Sequence, residues 1–146
     1  MSMLFVNRQD KEVVFSVNNS GWRRIFLLGL MFGWEPQGTS APAGWSAGRS
    51  WDSKNYVTND GQLVTAADAL ALADAIESAI PLLKPADPDQ DKQSSSMLWE
   101  LELFRRFEQA MAEGLRDPGC LFFDTRWTDK LNELAAFCRK GAFKIC

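Results

Sequence analysis

The side chains best suited to acid–base chemistry are four glutamates in one stretch of the chain: Glu100, Glu102, Glu108 and Glu113. Hydrolysis of a glycosidic bond requires two carboxyl groups on either side of a cleft, separated by about 5–9 Å. Glutamates that are spread along the outer face of an amphipathic helix rarely meet this requirement. We therefore predict no catalytic residue among them, and we interpret Glu100, Glu102 and Glu108 as part of a contact surface for a partner.

The chain contains no histidine, and this absence excludes whole classes of site. Histidine is the commonest general base near neutral pH and the commonest metal ligand. Catalysis of the Ser-His-Asp or Cys-His type is therefore excluded, and so are most zinc sites. The glycines do not form the patterns that bind phosphates or dinucleotides. We predict no metal, no cofactor and no enzyme activity.

Three aspartates, Asp87, Asp89 and Asp91, match the first positions of a calcium-binding loop. The match then fails, because Lys92 stands where a glycine is needed for the turn. Leu98 stands where a bidentate glutamate is needed. We interpret this stretch as a polar linker between two helices.

Three cysteines, Cys120, Cys138 and Cys146, form neither an even set nor a CxxC pair. This usage is typical of reduced thiols inside a cell. A reactive thiol needs a lowered pKa, which a helix N-terminus or a neighbouring cation supplies. Without a histidine to activate Cys120, we expect it to be an inert thiol.

Length and charge indicate a single intracellular domain. The 146 residues suit one domain, and a net charge of −3 without a basic tail gives no indication of nucleic-acid binding. The N-terminus lacks the pattern of a signal peptide. The most apolar stretch, Ile25–Trp34, has about ten residues, against the roughly 20 that cross a bilayer. We expect a cytoplasmic protein that does not bind membranes.

The N-terminal half combines short strands with one helix. Met3–Val6 and Glu12–Val17 are rich in β-branched and aromatic residues, which predicts a hairpin. A helix is predicted over Gly21–Phe32, after asparagine and serine residues that suit its N-cap. Asn59-Asp60-Gly61 has the composition of a tight turn, and it predicts a second small hairpin around it.

Three helices are predicted in the C-terminal half, which makes the fold mainly α (α+β), with about four helices and a small antiparallel sheet. The sheet contains the N-terminal hairpin, and the C-terminal segment is a candidate for a further strand. The predicted helices cover Thr65–Leu83, Met97–Leu115 and Asp129–Lys140. The second of these has an apolar stripe that we expect to face the core: Leu101, Phe104, Phe107, Met111 and Leu115.

The segment Trp34–Tyr56 is rich in glycine, proline and serine, which predicts a long loop. Tryptophan, tyrosine and arginine are the usual anchors of protein interfaces. This loop supplies Trp45, Arg49, Trp51 and Tyr56 as candidate partner-binding residues. Aromatic rings also bury large areas, so the same rings suit a cover over the core. We predict that most of them fold back in this way and that at least one belongs to a surface patch.

Four groups of residues form short motifs: GWEPQGT (33–39), WD (51–52) with NDGQLV (59–64), ADA (67–69) and FCRKGAFKI (137–145). Together they resemble a group of small bacterial proteins, some of which are similar to immunity proteins for secreted toxins. The resemblance extends in patches over about half of the chain, and Ala142 stands where glycine is more typical of that group. It implies no catalytic residues.

These observations lead to one main hypothesis and two alternatives. The main hypothesis is an immunity protein that binds a cognate bacterial toxin or effector domain and occludes its active site. The first alternative is a binding domain for a small or regulatory ligand, with a pocket beneath the tryptophan-rich loop. The second alternative is an enzyme that uses carboxylates or Cys120, which requires two such groups to converge in one pocket.

Overall fold

The structure of the protein is a computed structural model, and it describes residues 2–45, 50–88 and 98–146. The strands are β1 (Ser2–Asn7), β2 (Val14–Asn18), β3 (Thr39–Ser40), β4 (Gln62–Val64) and β5 (Phe143–Ile145). The α-helices within the described ranges are α1 (Asn19–Met31), α2 (Ala66–Ala79), α3 (Trp99–Glu113) and α4 (Thr128–Arg139). The linker aspartates Asp89 and Asp91, and Arg49, lie outside the described residues.

The five strands form one antiparallel sheet in the order β2-β1-β5-β4-β3. β1 lies between β2 and β5, so that Phe5 is opposite Phe15 on one side and Ile145 on the other. This arrangement confirms the predicted α+β fold with its N-terminal hairpin and its C-terminal strand. The sheet is larger than predicted, because β4 extends it beyond β5 and β3 forms its far edge.

The prediction of a second hairpin around Gly61 is wrong. Residues 56–58 form no strand, because the Asn55 side chain accepts hydrogen bonds from two backbone N–H groups there and turns the chain. β4 pairs with β5 instead, and the Gly61 N–H donates to the Ile145 carbonyl at 2.8 Å.

One face of the sheet forms the floor of the hydrophobic core. Alternate side chains of the strands point to this face, and the rings of Phe5, Phe15 and Phe143 are buried on it. Trp22 of α1 packs edge-on against Phe5, with 4.7 Å between the ring centroids. The other face of the sheet carries the alternate residues, which are more exposed.

The predicted first helix is confirmed as α1. Its N-cap is Asn18, whose side-chain oxygen accepts a hydrogen bond from the Gly21 N–H at 2.6 Å. Near its other end, a Cβ atom at Gly29 would lie 2.8 Å from the Trp34 ring and 3.0 Å from a Leu72 methyl group. The absence of a side chain at Gly29 therefore allows α1 to approach α2 closely.

The predicted central helix is confirmed as α2, which packs against α1 and along α4. Its N-cap is Thr65, whose hydroxyl accepts a hydrogen bond from the Asp68 N–H at 3.1 Å. The helix ends at Ala79 rather than at Leu83, and a short 3-10 turn that contains Pro81 follows it.

A buried polar cluster joins the start of the tryptophan-rich loop to α2. Asp68 is fully buried, and its Oδ1 accepts hydrogen bonds from the Trp34 indole at 3.0 Å and the Gln37 N–H at 3.2 Å. Its Oδ2 accepts one from the Tyr56 hydroxyl at 2.5 Å, and that hydroxyl accepts one from the Gly38 N–H at 2.8 Å. Tyr56 is only 2% exposed. It is therefore a core residue, which corrects its prediction as a partner contact.

The connection between α3 and α4 is fixed by two arginines. The Arg24 guanidinium donates to the backbone carbonyls of Leu121 and Phe122 and lies over the Phe123 ring. Burial lowers the pKa of Arg24 to about 10. Arg106 of α3 lies over the Phe122 ring, 4.5 Å from its centroid. The predicted last helix is confirmed as α4, whose buried residues include Leu131, Leu134, Ala135 and Cys138.

Candidate protein-binding surface

Helix α3 buries little of its apolar surface. Only Leu103 and Ala110 are buried among its residues, and Phe107 is half-buried. The large apolar side chains that we predicted to face the core are between 46% and 69% exposed: Leu101, Phe104, Met111 and Leu115. The prediction is therefore wrong for these four residues, and the apolar stripe of this helix faces solvent.

Two side chains explain why the helix is turned in this way. Arg23 of α1 pairs with Glu100 at 3.0 Å, close to the start of α3. Arg106 holds the middle of α3 through its contact with the Phe122 ring and a hydrogen bond to the Gly119 carbonyl at 3.4 Å. These contacts direct the side of α3 that carries Leu103 and Ala110 toward the rest of the protein. The opposite side of the helix is exposed to solvent.

The exposed residues form a line along α3. Leu101, Phe104, Glu108, Met111 and Leu115 follow one another at spacings of three and four residues, which places side chains on one face of a helix. We call this set of five residues the α3 stripe. At about 1.5 Å per residue, Leu101 and Met111 are roughly 15 Å apart along the axis. Leu115 extends the line beyond the left-handed cap residue of the helix.

A groove continues the α3 stripe at its C-terminal end. It has a volume of about 520 Å³ and lies between the end of α1 and the end of α3. Met111 and Leu115 of the stripe line it together with Leu30, and the charged residues Glu35 and Arg116 also border it. This volume lies within the roughly 300–1,000 Å³ of known ligand pockets. The groove is therefore large enough to take a bulky side chain.

The three glutamates predicted as partner contacts differ in their surroundings. Glu100 is paired with Arg23, and Glu102 forms a two-pronged ion pair with Arg105 at 2.5 and 3.0 Å. The hydrogen bond from Arg105 lowers the pKa of Glu102. Glu108 is exposed and forms no ion pair with any described residue. It is therefore the uncompensated charge in the α3 stripe.

The tryptophans predicted as partner contacts lie on a different element. Trp45 and Trp51 are half-buried and pack edge to face, with 4.7 Å between their ring centroids. The Trp51 indole donates to the Thr39 carbonyl at 3.1 Å and so attaches the pair to β3, the edge strand of the sheet. Helix α3 packs on α1 instead. The structure therefore assigns the tryptophans and the glutamates to two separate elements.

The pocket expected beneath the tryptophan-rich loop has a counterpart in the structure. A cavity of about 310 Å³ is lined by Phe26, Tyr56, Lys54 and the loop residues 36–38. The hydroxyl of Tyr56 is already engaged with Asp68 and with a backbone N–H group. The other polar side chains that line the cavity are those of Gln37, Ser53 and Lys54.

The two thiols with shifted pKa values, Cys120 and Cys138, are poorly suited to nucleophilic chemistry. Burial raises the pKa of Cys138 to about 12, and burial together with the nearby Asp117 raises the pKa of Cys120. Thiols with raised pKa values are poor nucleophiles. In the described ranges, no three cysteine or acidic side chains are placed to hold a metal ion. The raised thiol pKa values therefore do not favour the alternative of an enzyme that uses Cys120.

The sequence pattern of α3 contains the α3 stripe, but it does not distinguish this stripe from a second apolar line on the same helix. A second line runs along the same helix through Trp99, Leu103, Arg106 and Ala110, again at spacings of three and four. Each line contains one charged residue. Periodicity therefore shows that α3 has two apolar lines but does not show which one faces the core.

Comparison with known proteins adds no relative. No protein-family model matches the chain, and neither curated proteins nor solved structures give a significant match. None of the described helices is both long enough and apolar enough to pass through a lipid bilayer.

Proposed function

We propose that this protein is an immunity protein, which binds a cognate bacterial toxin domain through the α3 stripe and the adjoining groove. The observation that supports this proposal most directly is the exposure of Leu101, Phe104 and Met111 on one face of α3, with exposed Leu115 just beyond the helix end. Large apolar patches with a polar rim are typical of sites where a protein binds another protein. The resemblance in the sequence motifs indicates the kind of partner.

The dimensions of the surface favour a helical element of the partner. A helix that lies in an apolar groove is a common mode of recognition, with anchor residues at spacings of three and four. The α3 stripe offers one face of such a pair. The groove beside Met111 and Leu115 has room for one bulky side chain of the partner. A few such anchor residues in pockets supply most of the binding energy of a typical interface.

Glu108 favours a different protein over a second copy of this chain. Two copies that pair antiparallel along their α3 stripes would bring their Glu108 side chains together, since this residue is central in the stripe. Like charges opposite one another are unfavourable in such pairs. A partner with a lysine or arginine at this point would neutralise Glu108 instead. We therefore expect an apolar partner surface that carries a central cation.

The proposal is tested by producing this chain together with the toxin encoded beside its gene. We expect a complex that copurifies and a chain that restores growth. The double variant Leu101→Ser/Phe104→Ser should abolish both effects and keep the fold, because both side chains are exposed. Leu70→Ser, which changes a leucine that is 40% exposed on α2, is the matched control and should behave like the unchanged chain. Neither complex nor rescue with the unchanged chain would overturn the proposal.

A further inference from the structure

We propose that the outer face of the sheet binds a small organic anion with an apolar body. A cavity of about 380 Å³ lies on this face, and it is lined by apolar and basic residues. The apolar lining comes from Val6, Leu63, Pro42 and Ala43, the basic lining from Arg8, Lys11 and Lys144, and Asn7 and Cys146 complete it. The site shares no lining residue with the α3 stripe, and the inference does not depend on the proposed function.

The floor of this cavity is set by the register of three strands. Val6 of β1 is opposite Lys144 of β5, and Lys144 is opposite Leu63 of β4. Opposite residues in antiparallel strands point to the same face of a sheet. Their neighbours Phe5 and Phe143 are buried in the core, so these three side chains stand in a row on the outer face. A lysine between two half-buried apolar residues forms the floor.

One wall of the cavity is the turn between β1 and β2. The Asn7 side chain is buried, and its oxygen accepts hydrogen bonds at 2.9 Å from the backbone N–H groups of Gln9 and Asp10. The Arg8 N–H donates to the Ala142 carbonyl at 3.0 Å. These bonds fix the backbone of the turn that carries the basic residues. This wall of the cavity is therefore preformed in the protein without a ligand.

The other side of the cavity holds the stem of Lys144. A Cβ atom at Gly61 would lie 3.2 Å from Cε of Lys144 and 3.4 Å from Pro42. Gly61 has a φ angle of +82°, which other residues rarely adopt. The lysine stem therefore lies directly against the backbone at Gly61, which restricts where its ammonium group can go.

The three cations at this cavity are uncompensated within the described residues. Arg8, Lys11 and Lys144 form no ion pair there, whereas Arg23, Arg105, Arg126 and Arg139 each form one. The whole chain has a net charge of −3, so this patch is positive against the overall balance. Cationic side chains that line one cavity attract a ligand of the opposite charge. A carboxylate or a phosphate group suits this rim.

The apolar lining of the cavity indicates what kind of body is attached to the anionic group of the ligand. A cavity within the usual size range with an apolar floor favours a body of several carbon atoms. An inorganic anion would leave the apolar floor unfilled, and a neutral amphiphile would leave the cations unpaired. The predicted ligand class is therefore an organic carboxylate or phosphate with a short aliphatic or aromatic body.

The test uses the full chain with octanoate and octyl phosphate as probes, and 1-octanol and inorganic phosphate as controls. We expect one of the two anionic amphiphiles, or both, to bind at one site and to shift the amide resonances of Val6, Leu63 and Lys144. The two controls should bind at least about tenfold more weakly, a difference of about 1.4 kcal/mol. Binding of octanol equal to that of the anions, or resonance shifts confined to the α3 stripe, would overturn the inference.

Charge-removing variants complete this test. The double variant Arg8→Gln/Lys144→Gln should weaken binding of the anionic probe by about tenfold or more. Both side chains lack ion pairs with described residues, so the fold should be retained, and the circular dichroism spectrum checks this. Lys54→Gln, an exposed lysine that lines a different cavity, is the matched control. Equal affinity in the double variant and the control would also overturn the inference.

Discussion

Helices α2 and α3 are almost equal in length, with 14 and 15 residues, and yet they stand in opposite relations to the core. Seven residues of α2 are buried, including Leu72 and Ile76, whereas α3 buries only Leu103 and Ala110. The larger apolar side chains of α3 face outward. An apolar stripe on a helix therefore indicates a surface that is buried in a contact. It does not indicate whether that contact is with the core of the same chain or with a partner.

The composition of the two helices explains their different places. The buried face of α2 contains four alanines, which allow neighbouring helices to approach closely: Ala69, Ala73, Ala75 and Ala79. Its one buried charged residue, Asp68, is satisfied by the loop that it holds. Helix α3 is attached through arginines at its edge instead. It therefore lies at the periphery, where Leu101, Phe104 and Met111 have room to contact another molecule.

The largest expected contrast comes from the same substitution on each helix. Leu72→Ala should lower the free energy of unfolding by about 3 kcal/mol, because it leaves a cavity in the core. Leu101→Ala should change it by less than about 0.5 kcal/mol, since the side chain is exposed. Urea unfolding measures both. A large loss from Leu101→Ala would mean that the α3 stripe stabilises the isolated chain.

A smaller effect is expected where α1 and α2 meet. Gly29→Ala should lower the free energy of unfolding by about 1–3 kcal/mol, because the new methyl group would press on Trp34 and Leu72. Gly114 is the control on α3, where an added Cβ meets no atom within 4 Å. Its φ angle of +68° means that Gly114→Asn, which tolerates this angle, is the suitable variant. Urea unfolding should show little change for Gly114→Asn, and equal losses would refute the contrast.

The third effect appears only at high pH and concerns the cluster that holds the loop to α2. Burial and the hydrogen bond to Asp68 raise the pKa of Tyr56. Above the ordinary tyrosine value of about 10, the unfolded chain releases this proton and the folded chain keeps it. Unfolding then becomes easier as pH rises, by up to about 1.4 kcal/mol per pH unit from this group.

The variant Tyr56→Phe separates this effect from the titration of other groups. It should be less stable at neutral pH because it leaves Oδ2 of Asp68 without its donor, and it should lose the part of the alkaline decline that Tyr56 causes. Tyr56 is the one tyrosine of the chain, so its ionisation is followed directly by ultraviolet absorbance. An ordinary pKa for Tyr56 in the folded chain would show that the cluster is open to water.

Sequence patterns predicted the parts of the fold that depend on interactions between residues close together in the chain. Their content of β-branched and aromatic residues identified β1 and β2, and the asparagine and serine residues that suit an N-cap marked the start of α1. Patterns failed where a distant contact decided the outcome. β4 was assigned to the wrong partner, because the C-terminal strand, remote in sequence, binds it more favourably than residues 56–58 do.

The candidate surfaces were harder to predict for the same reason. Glu108 was identified from its place on a helix, but the apolar residues beside it were assigned to the core, because two lines of α3 have the same period. The direction of α3 depends on Arg23 and Arg106, whose partners lie on other elements. The cavity at Lys144 depends on a strand register that no local pattern contains.

The central claim is that α3 presents its apolar stripe to a partner, and one measurement tests it most directly. The dissociation constant of the cognate toxin domain is measured for the unchanged chain, for Phe104→Ser and for Leu70→Ser. We predict that Phe104→Ser weakens binding by at least about tenfold, or 1.4 kcal/mol, and that Leu70→Ser has no effect. Equal dissociation constants for all three folded chains would contradict the assignment of the α3 stripe as the binding surface.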